Sequence, residues 1–374
     1  MSAKKVVVAM SGGVDSSVAA ALLKRQGFDV TGIMLRLWSD PGSEAANRCC
    51  TPDAMAQARK VAAMLEIPFY TLDARELFRK NVVEYFMDGY ARGVTPNPCA
   101  ECNRTIRWGL LWNAARSMGA EYFATGHYAR VYARDGHYHL ARALDESKDQ
   151  SYILSVLTQE QLATTCFPVG EFHKSEVREM ARQFGLPVAE RPDSQDLCFL
   201  AGQDYREFLG RWVLGVNEPG PILDRRGNVL GRHQGLAAYT IGQRKGLGVP
   251  SLEPLYVLDK DIEHNVLVVG TAQELGRTRL KAIRVHWMDG QAPEGSRQVE
   301  AKIRYRAPLV GATLSPLDSE SAALVFERPL RDITPGQLVV FYQGQEVLGS
   351  GTIAYEPASE AWISEQAVNL QVEM

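Results

Sequence analysis

Val6-Val7-Val8-Ala9-Met10, Ser11-Gly12-Gly13-Val14-Asp15-Ser16-Ser17 and Val18-Ala19-Ala20-Ala21-Leu22-Leu23 follow one another near the start of the chain. A β-branched run, a small glycine-bearing loop and a strong helix former read together as strand, loop, helix. The paired glycines let the backbone come close to an anion, and the Ser/Asp cluster caps the helix. Backbone N–H groups at that helix end then point at a phosphate, with the helix dipole favouring negative charge. The loop has neither the lysine of GxxxxGK(S/T) nor the GxGxxG spacing of a dinucleotide fold. A lone SGG would read as an ordinary turn. The whole heptad, set directly after a valine-rich strand, does not.

Outward from this unit the pattern repeats. Gly27 ends the helix, and Phe28–Leu35 reads as a second strand. Thr51-Pro52-Asp53 opens a helix, with Thr as N-cap and Pro in the first turn, running to about Glu66. Ile67–Leu72 is a third strand, helices follow near Ala74–Tyr90 and Thr105–Met118, and Tyr122–Thr125 is a strand again. Such alternation predicts a parallel sheet wrapped by helices, with its ligand at the carboxyl ends of the strands. After a helix at Lys174–Phe184 and Cys198 the texture changes. Short β-type runs such as Leu255–Leu258 and Val266–Val269 alternate with turns such as Asp224–Asn228, and Val299–Tyr305 alternates cleanly as a strand. The expectation is an α/β domain over 1–200, a small linking domain over 201–275 and an all-β barrel or sandwich over 276–374.

The length of 374 residues allows two or three such cores, and 45% hydrophobic with 23% charged residues describes an ordinary globular chain. No apolar run reaches the length of a membrane span, and no signal-peptide pattern precedes the first strand, so a cytoplasmic location and no membrane partner are expected. A net charge of −3 excludes nothing about nucleic acid, because the distribution matters more than the sum. Between Arg277 and Arg306 there are eight basic residues against three acidic ones, a strip able to follow a phosphate backbone, with Tyr305 available for stacking.

Six cysteines in a chain of this length are no disulfide scaffold and suggest thiol chemistry or metal. Thr95-Pro96-Asn97-Pro98-Cys99-Ala100-Glu101-Cys102-Asn103 is a proline-stiffened loop opening a helix. Its Cys-x-x-Cys spacing is half of a zinc ribbon, but no second pair exists to complete one. Cys198, in Asp193-Ser194-Gln195-Asp196-Leu197-Cys198-Phe199, is the third thiol. That leaves a site where thiols react, or where a cluster keeps one position open. Cys49 and Cys50 are badly placed to bridge each other, and Cys166 reads as a small buried hydrophobe; none of these three is given a role.

Ser-Gly-Gly-x-Asp-Ser-Ser resembles the PP-loop of ATP pyrophosphatases, which make adenylated intermediates. The heptad, the Thr95–Asn103 loop, Ala124-Thr125-Gly126-His127-Tyr128, Lys148-Asp149-Gln150-Ser151-Tyr152, the segment around Cys198, Tyr239-Thr240-Ile241-Gly242-Gln243-Arg244-Lys245-Gly246 and Pro335-Gly336-Gln337 occur in the order of the bacterial tRNA-specific 2-thiouridylase family. The resemblance spans essentially the whole chain. It implies a Rossmann-like PP-loop domain with a parallel sheet, a small central domain and a C-terminal β-barrel.

It also implies a chemistry. AMP is transferred from ATP to the uracil O2 of wobble uridine 34 in the Lys, Glu and Gln tRNAs, and sulfur then displaces it. By resemblance Ala9, Met10, Ser11, Gly12, Gly13, Val14, Asp15, Ser16, Leu35 and Gly126 hold ATP, with Mg²⁺ on the phosphates and Asp15 as its candidate ligand. Cys198 carries a persulfide, Cys102 releases or resolves it, and Asn97, Pro98 and Cys99 lie beside the target base. His127, Lys148, Asp149, Gln150, Arg304, Tyr305 and Gln337 are the implied tRNA contacts, and a cysteine desulfurase or a relay protein is the implied sulfur donor. Some relatives carry Asp at position 99. With Cys there, Cys99, Cys102 and Cys198 offer an alternative, a 4Fe–4S cluster with one iron open. Two rival classes stand beside this: a PP-loop amidase or ligase using ammonia, and an RNA-binding module with a structural metal.

Overall fold

The computed structural model describes residues 3–41, 51–192, 197–331 and 333–356. The valine run forms β1 (Lys5–Ala9), in which Val6, Val7 and Val8 are all buried. Burial on both faces is the demand placed on a central parallel strand. β1 pairs in parallel with β2 (Asp29–Arg36), and β2 with β3 (Phe69–Asp73). On its other side β1 pairs with β4 (Tyr122–Thr125). The chain then leaves this sheet for a hairpin, β5 (Arg130–Arg134) and β6 (His137–Ala141), before β7 (Thr165–Cys166) completes the order β3-β2-β1-β4-β7. The order reverses between β1 and β4, so their carboxyl ends open the crevice where such sheets bind ligands.

The helix after β1, α1 (Val14–Arg25), buries a run of alanines and valines against the sheet. The expected Ser/Asp cap does not form: Gly13 is the N-cap with no side-chain cap bond, because the Ser16 and Ser17 hydroxyls donate back to the Gly13 carbonyl. The expected N-cap of the next helix, α2 (Pro52–Met64), holds: the Thr51 hydroxyl accepts from the Ala54 N–H at 3.0 Å. One boundary shifts. The helix expected from Thr105 starts at Pro98, because the Asn97 side chain accepts from the Ala100 N–H and Pro98 fits the first turn. It passes into a π-helical stretch at Asn103–Leu111, a geometry that gathers at functional sites.

The middle segment builds a four-stranded sheet from β8 (Gly220–Leu223), β9 (Val229–His233), β10 (Tyr256–Asp261) and β11 (Val266–Gly270), with its own apolar core. Asp224 shapes the β8–β9 turn, its carboxylate accepting from the Arg226 and Asn228 N–H groups.

The last segment is a six-stranded antiparallel barrel. β12 (Arg277–Trp287), β13 (Arg297–Lys302), β14 (Val310–Pro316), β15 (Ser321–Leu330), β16 (Leu338–Gln343) and β17 (Glu346–Ile353) run in the order β12-β15-β14-β13-β16-β17, and β12 closes on β17. β13 stops at Lys302 rather than at Tyr305, since Arg304 turns inward to donate to the Ile241 carbonyl and the Thr334 hydroxyl. β16 is buried on both faces. Val339 and Phe341 fill the barrel, whereas Leu338, Val340 and Tyr342 pack on Trp108, Leu140 and Tyr152. Burial of Leu338 and Val340 contributes about 1.5–3 kcal/mol each, so this seam is a core and not a loose contact. The β5–β6 hairpin, which lies inside the segment expected to be the α/β domain, adds to the barrel sheet beside β17.

Candidate active site

The glycine–serine loop gets its shape from steric necessity. Gly12 sits at φ +72°, and a Cβ there would lie 2.2 Å from the Ala54 carbonyl oxygen. Only glycine lets the loop pass under α2. Ser17 Oγ donates to the Gly13 carbonyl at 2.7 Å, and the Ser11 N–H donates to Ser16 Oγ at 3.2 Å, which curls the loop around the α1 N-terminus. Gly126, at the end of β4, is equally constrained: a Cβ would stand 2.5 Å from the Ser16 nitrogen. The end of β4 therefore presses against the first turn of α1 at the switch point.

One cavity of about 1770 Å³ opens at that point. Of the residues that the resemblance assigns to ATP, the target base, sulfur transfer and tRNA, all but Gly12, Cys102 and Cys198 line it. Gly12 instead faces α2, with its conformation as its contribution. The cavity wall carries eight Lys and Arg side chains against four carboxylates, a cationic interior that the net charge of −3 conceals. The basic strip is not one surface. Only Lys302, Arg304 and Arg306 of it face the cavity, because the strand register sends the others elsewhere.

The thiols divide by environment. Cys99, at the start of its helix, is exposed and lines the cavity. Cys102, one turn on, is buried in an apolar cluster with Phe86, Ile106 and Phe199, and Cys198 packs against the same cluster. Leu197 and Leu200, on either side of Cys198, line the cavity, so this cluster forms part of its wall. Burial pushes the Cys166 thiol up to about 11, consistent with an inert side chain. Among the described residues no three His, Cys, Asp or Glu side chains converge as a metal-ligand set. Cys99, Cys102 and Cys198 thus do not form the cradle a 4Fe–4S cluster takes. Cys49, Cys50 and the Asp193–Asp196 motif lie outside the described residues.

Several side chains expected to touch RNA are engaged internally. His127 is buried, with Arg107 donating to its Nε2 at 2.7 Å and Thr125 Oγ1 at 2.7 Å from its Nδ1. A guanidinium has only donors, so Nε2 is the acceptor and Nδ1 bears the proton. Burial, with Arg107 beside it, holds His127 well below the ordinary imidazole range. The Asp149 carboxylate accepts from the Ala143 and Ser151 N–H groups and the Ser151 hydroxyl. Gln150 accepts from the Tyr128 N–H, and the Tyr128 hydroxyl donates to Asp15 at 2.9 Å. The Lys148–Tyr152 motif therefore orders the glycine–serine loop through Tyr128. Tyr305 stays open to the cavity. Burial, together with charge on Asp149 and Cys99, pushes its phenol up to about 12.

Two basic residues that sequence reasoning missed are central. Lys174 Nζ bridges both Asp15 oxygens, at 2.6 and 2.8 Å. The carboxylate expected to hold Mg²⁺ is held by a lysine from a helix 159 positions away, and no local spacing in the sequence could have revealed it. Arg191 similarly reaches the Gly12 carbonyl and Asp53.

Residues 4–202 match the family model described as tRNA methyl transferase HUP domain, 206–271 the tRNA methyl transferase PRC-barrel domain, and 277–353 the aminomethyltransferase beta-barrel domain. The chain is 49% identical over 352 residues to the tRNA-specific 2-thiouridylase MnmA of Moorella thermoacetica, covering 93% of this chain and 98% of that protein. With the protein of the same name from Roseiflexus castenholzii it shares 47% identity over 367 residues, 94% of this chain and 99% of the other. A solved 4-thiouridine synthetase–RNA complex with bound ATP aligns at 20% identity and TM-score 0.37, over 56% of this chain and 50% of that one. No helix among the described residues is long and apolar enough to cross a membrane.

Proposed function

The chain belongs to the tRNA-specific 2-thiouridylase family and so makes 2-thiouridine in tRNA, and we propose that it does this by adenylation and thiol chemistry within the one cavity. The observation that carries the reading is the wall itself. A phosphate-shaped loop and the cysteine-bearing helix face the same cationic space. In this reading residues 1–200 activate the nucleotide, 201–275 link, and 276–374 bind RNA.

The C2 oxygen of uracil is a poor leaving group. It attacks the α-phosphorus of ATP, and pyrophosphate departs into the N–H groups of the glycine–serine loop, where Lys174 adds a fixed positive charge. Ala9, Leu35 and Gly126 would border the adenine and ribose. Mg²⁺, with Asp15 as its candidate ligand, would supply further charge neutralisation on the phosphates. The base, swung out of the single-stranded anticodon loop, lies between Tyr305 and the Asn97–Cys99 turn, with wobble uridine 34 of the Lys, Glu and Gln tRNAs as the target. The terminal sulfur of a Cys198 persulfide attacks C2, and AMP leaves with the original oxygen. The Cys102 thiolate then attacks Cys198 Sγ. The S–S bond to the base breaks, sulfur stays on C2, and a Cys102–Cys198 disulfide remains for a dithiol reductant to reopen.

The test uses purified protein, a tRNA transcript with a wobble uridine, ATP, and a cysteine desulfurase with cysteine as sulfur source. The expected result is 2-thiouridine in the nucleoside digest, matched by pyrophosphate. Pyrophosphate without sulfur incorporation in the wild-type protein, under reducing conditions, would contradict the thiol half.

A further inference from the structure

The loop that presents Cys99 is held from both sides, and the upper hold comes from the barrel. Below, Gly89 leaves room for Pro96: a Cβ there would lie 2.7 Å from the proline ring. Above, the Thr95 N–H donates to the Pro335 carbonyl at 2.9 Å. The Gln337 side-chain amide donates to the Thr95 carbonyl at 2.9 Å and the Pro96 carbonyl at 3.0 Å. Gly336, at φ +89°, comes so close that a Cβ would stand 2.9 Å from the Thr95 oxygen. Two residues later Pro98 starts the Cys99 helix, capped by Asn97.

The same barrel turn is tied to the RNA side of the cavity. Thr334 accepts from the Arg304 guanidinium, which also donates to the Ile241 carbonyl in the Tyr239–Gly246 segment of the middle sheet region. Arg304 and Tyr305 line the cavity. A short covalent and hydrogen-bonded route thus runs from Arg304 through Thr334 and Gln337 to the loop before Cys99. Gln337 donates its side-chain amide to two backbone carbonyls, which straps the loop to the barrel.

We propose that Gln337 is a positioning residue: its amide latches the barrel onto the Thr95–Pro96 strap, so that seating of RNA at Arg304 and Tyr305 fixes the placement of the Cys99 helix. This deepens the thiouridylase reading and rests on it for its catalytic arm. A latch of this kind changes the rate of the chemical steps, whereas a direct contact changes RNA affinity.

The experiment compares full-length wild type with Gln337→Leu, which keeps bulk and loses the amide, and with Gly336→Ala, which pushes on the same strap from a neighbouring atom. Thermal melting confirms that each variant is folded. Three quantities are read: Kd for tRNA by fluorescence anisotropy, the kcat and KM of thiolation, and the iodoacetamide alkylation rate of the Cys99 peptide by mass spectrometry, with and without tRNA. The expected result for Gln337→Leu is a tenfold or greater fall in kcat with Kd within twofold of wild type. Addition of tRNA slows Cys99 alkylation in both proteins, since the base covers the thiol, but at least threefold more in wild type than in the variant. A tenfold rise in Kd with kcat intact makes Gln337 a tRNA contact and overturns the proposal, as does wild-type behaviour in all three quantities. The alkylation arm needs no turnover, so a latch that responds to RNA in a protein that makes no 2-thiouridine refutes the function and not the latch.

Discussion

Lys174 and His127 show how little of a side chain's task its type reveals. Lys174 neutralises Asp15 inside a phosphate-binding loop, with 11% of its side chain exposed. Lys174→Met keeps the stem and removes the charge. It is expected to slow pyrophosphate release by about 10²–10³, the cost of losing one preorganised electrostatic partner, with tRNA affinity unchanged. A pyrophosphate-release assay beside anisotropy checks both halves. His127 contributes through neutrality. Its folded-state proton affinity is depressed, so below the ordinary imidazole range the unfolded chain binds a proton that the folded chain does not. Stability is then full above about pH 6.5 and falls as pH drops below it. His233 and His286 are shifted the same way and share the slope. Melting curves from pH 7.5 to 5 should show Tm falling with pH, less steeply for His127→Gln; an equal slope would exclude His127 from that titration. The sequence displayed His127 but not its pairing with Arg107, which fixes its tautomer from the Asn103–Leu111 helical stretch.

At the scale of elements, the decisive unit was legible because its signal is local. A valine run, two glycines and an alanine-rich helix former specify strand, loop and helix within eighteen residues, and the strand and helix fall where expected, although the Ser/Asp cap does not form. The Thr51 cap and the Tyr122–Thr125 strand were equally local. Less legible were features set by distant packing, such as the inward turn of Arg304 that ends β13 and the start of the Cys99 helix at Pro98. Gly12 and Gly126 stand between the two kinds. Gly126→Ala places a Cβ against the Ser16 backbone and must part α1 from β4, so ATP binding should drop at least tenfold by titration calorimetry. Gly12→Ala adds about 1–2 kcal/mol of left-handed backbone strain to its clash with Ala54 and should lower Tm as well. Wild-type ATP affinity in Gly126→Ala would mean that the crevice between the two strand ends is not the nucleotide site.

Over the whole molecule, the cavity belongs to no single segment. The α/β part supplies the phosphate loop and Cys99, and the barrel supplies Lys302, Arg304, Tyr305, Thr334 and Gln337. The three-part division could be read from changes in texture, yet the seam could not. Leu338–Tyr342 is a continuous apolar run because one face fills the barrel and the other the N-terminal core. A chain ending at residue 275 would expose Trp108, Leu140 and Tyr152 to water, and it is expected to be insoluble or molten, with loss of near-ultraviolet circular dichroism. Cooperative melting of that fragment near the full-length Tm would show the seam to be dispensable.

The central claim is that ATP turns the uracil C2 oxygen into a leaving group. It is tested most directly with tRNA carrying ¹⁸O at C2 of the target uridine, incubated with the protein, ATP and a sulfur source, followed by mass spectrometry of the AMP released. One ¹⁸O in the AMP phosphate, in step with 2-thiouridine formation and absent from the pyrophosphate, is the expected result. Unlabelled AMP alongside full thiolation would contradict it.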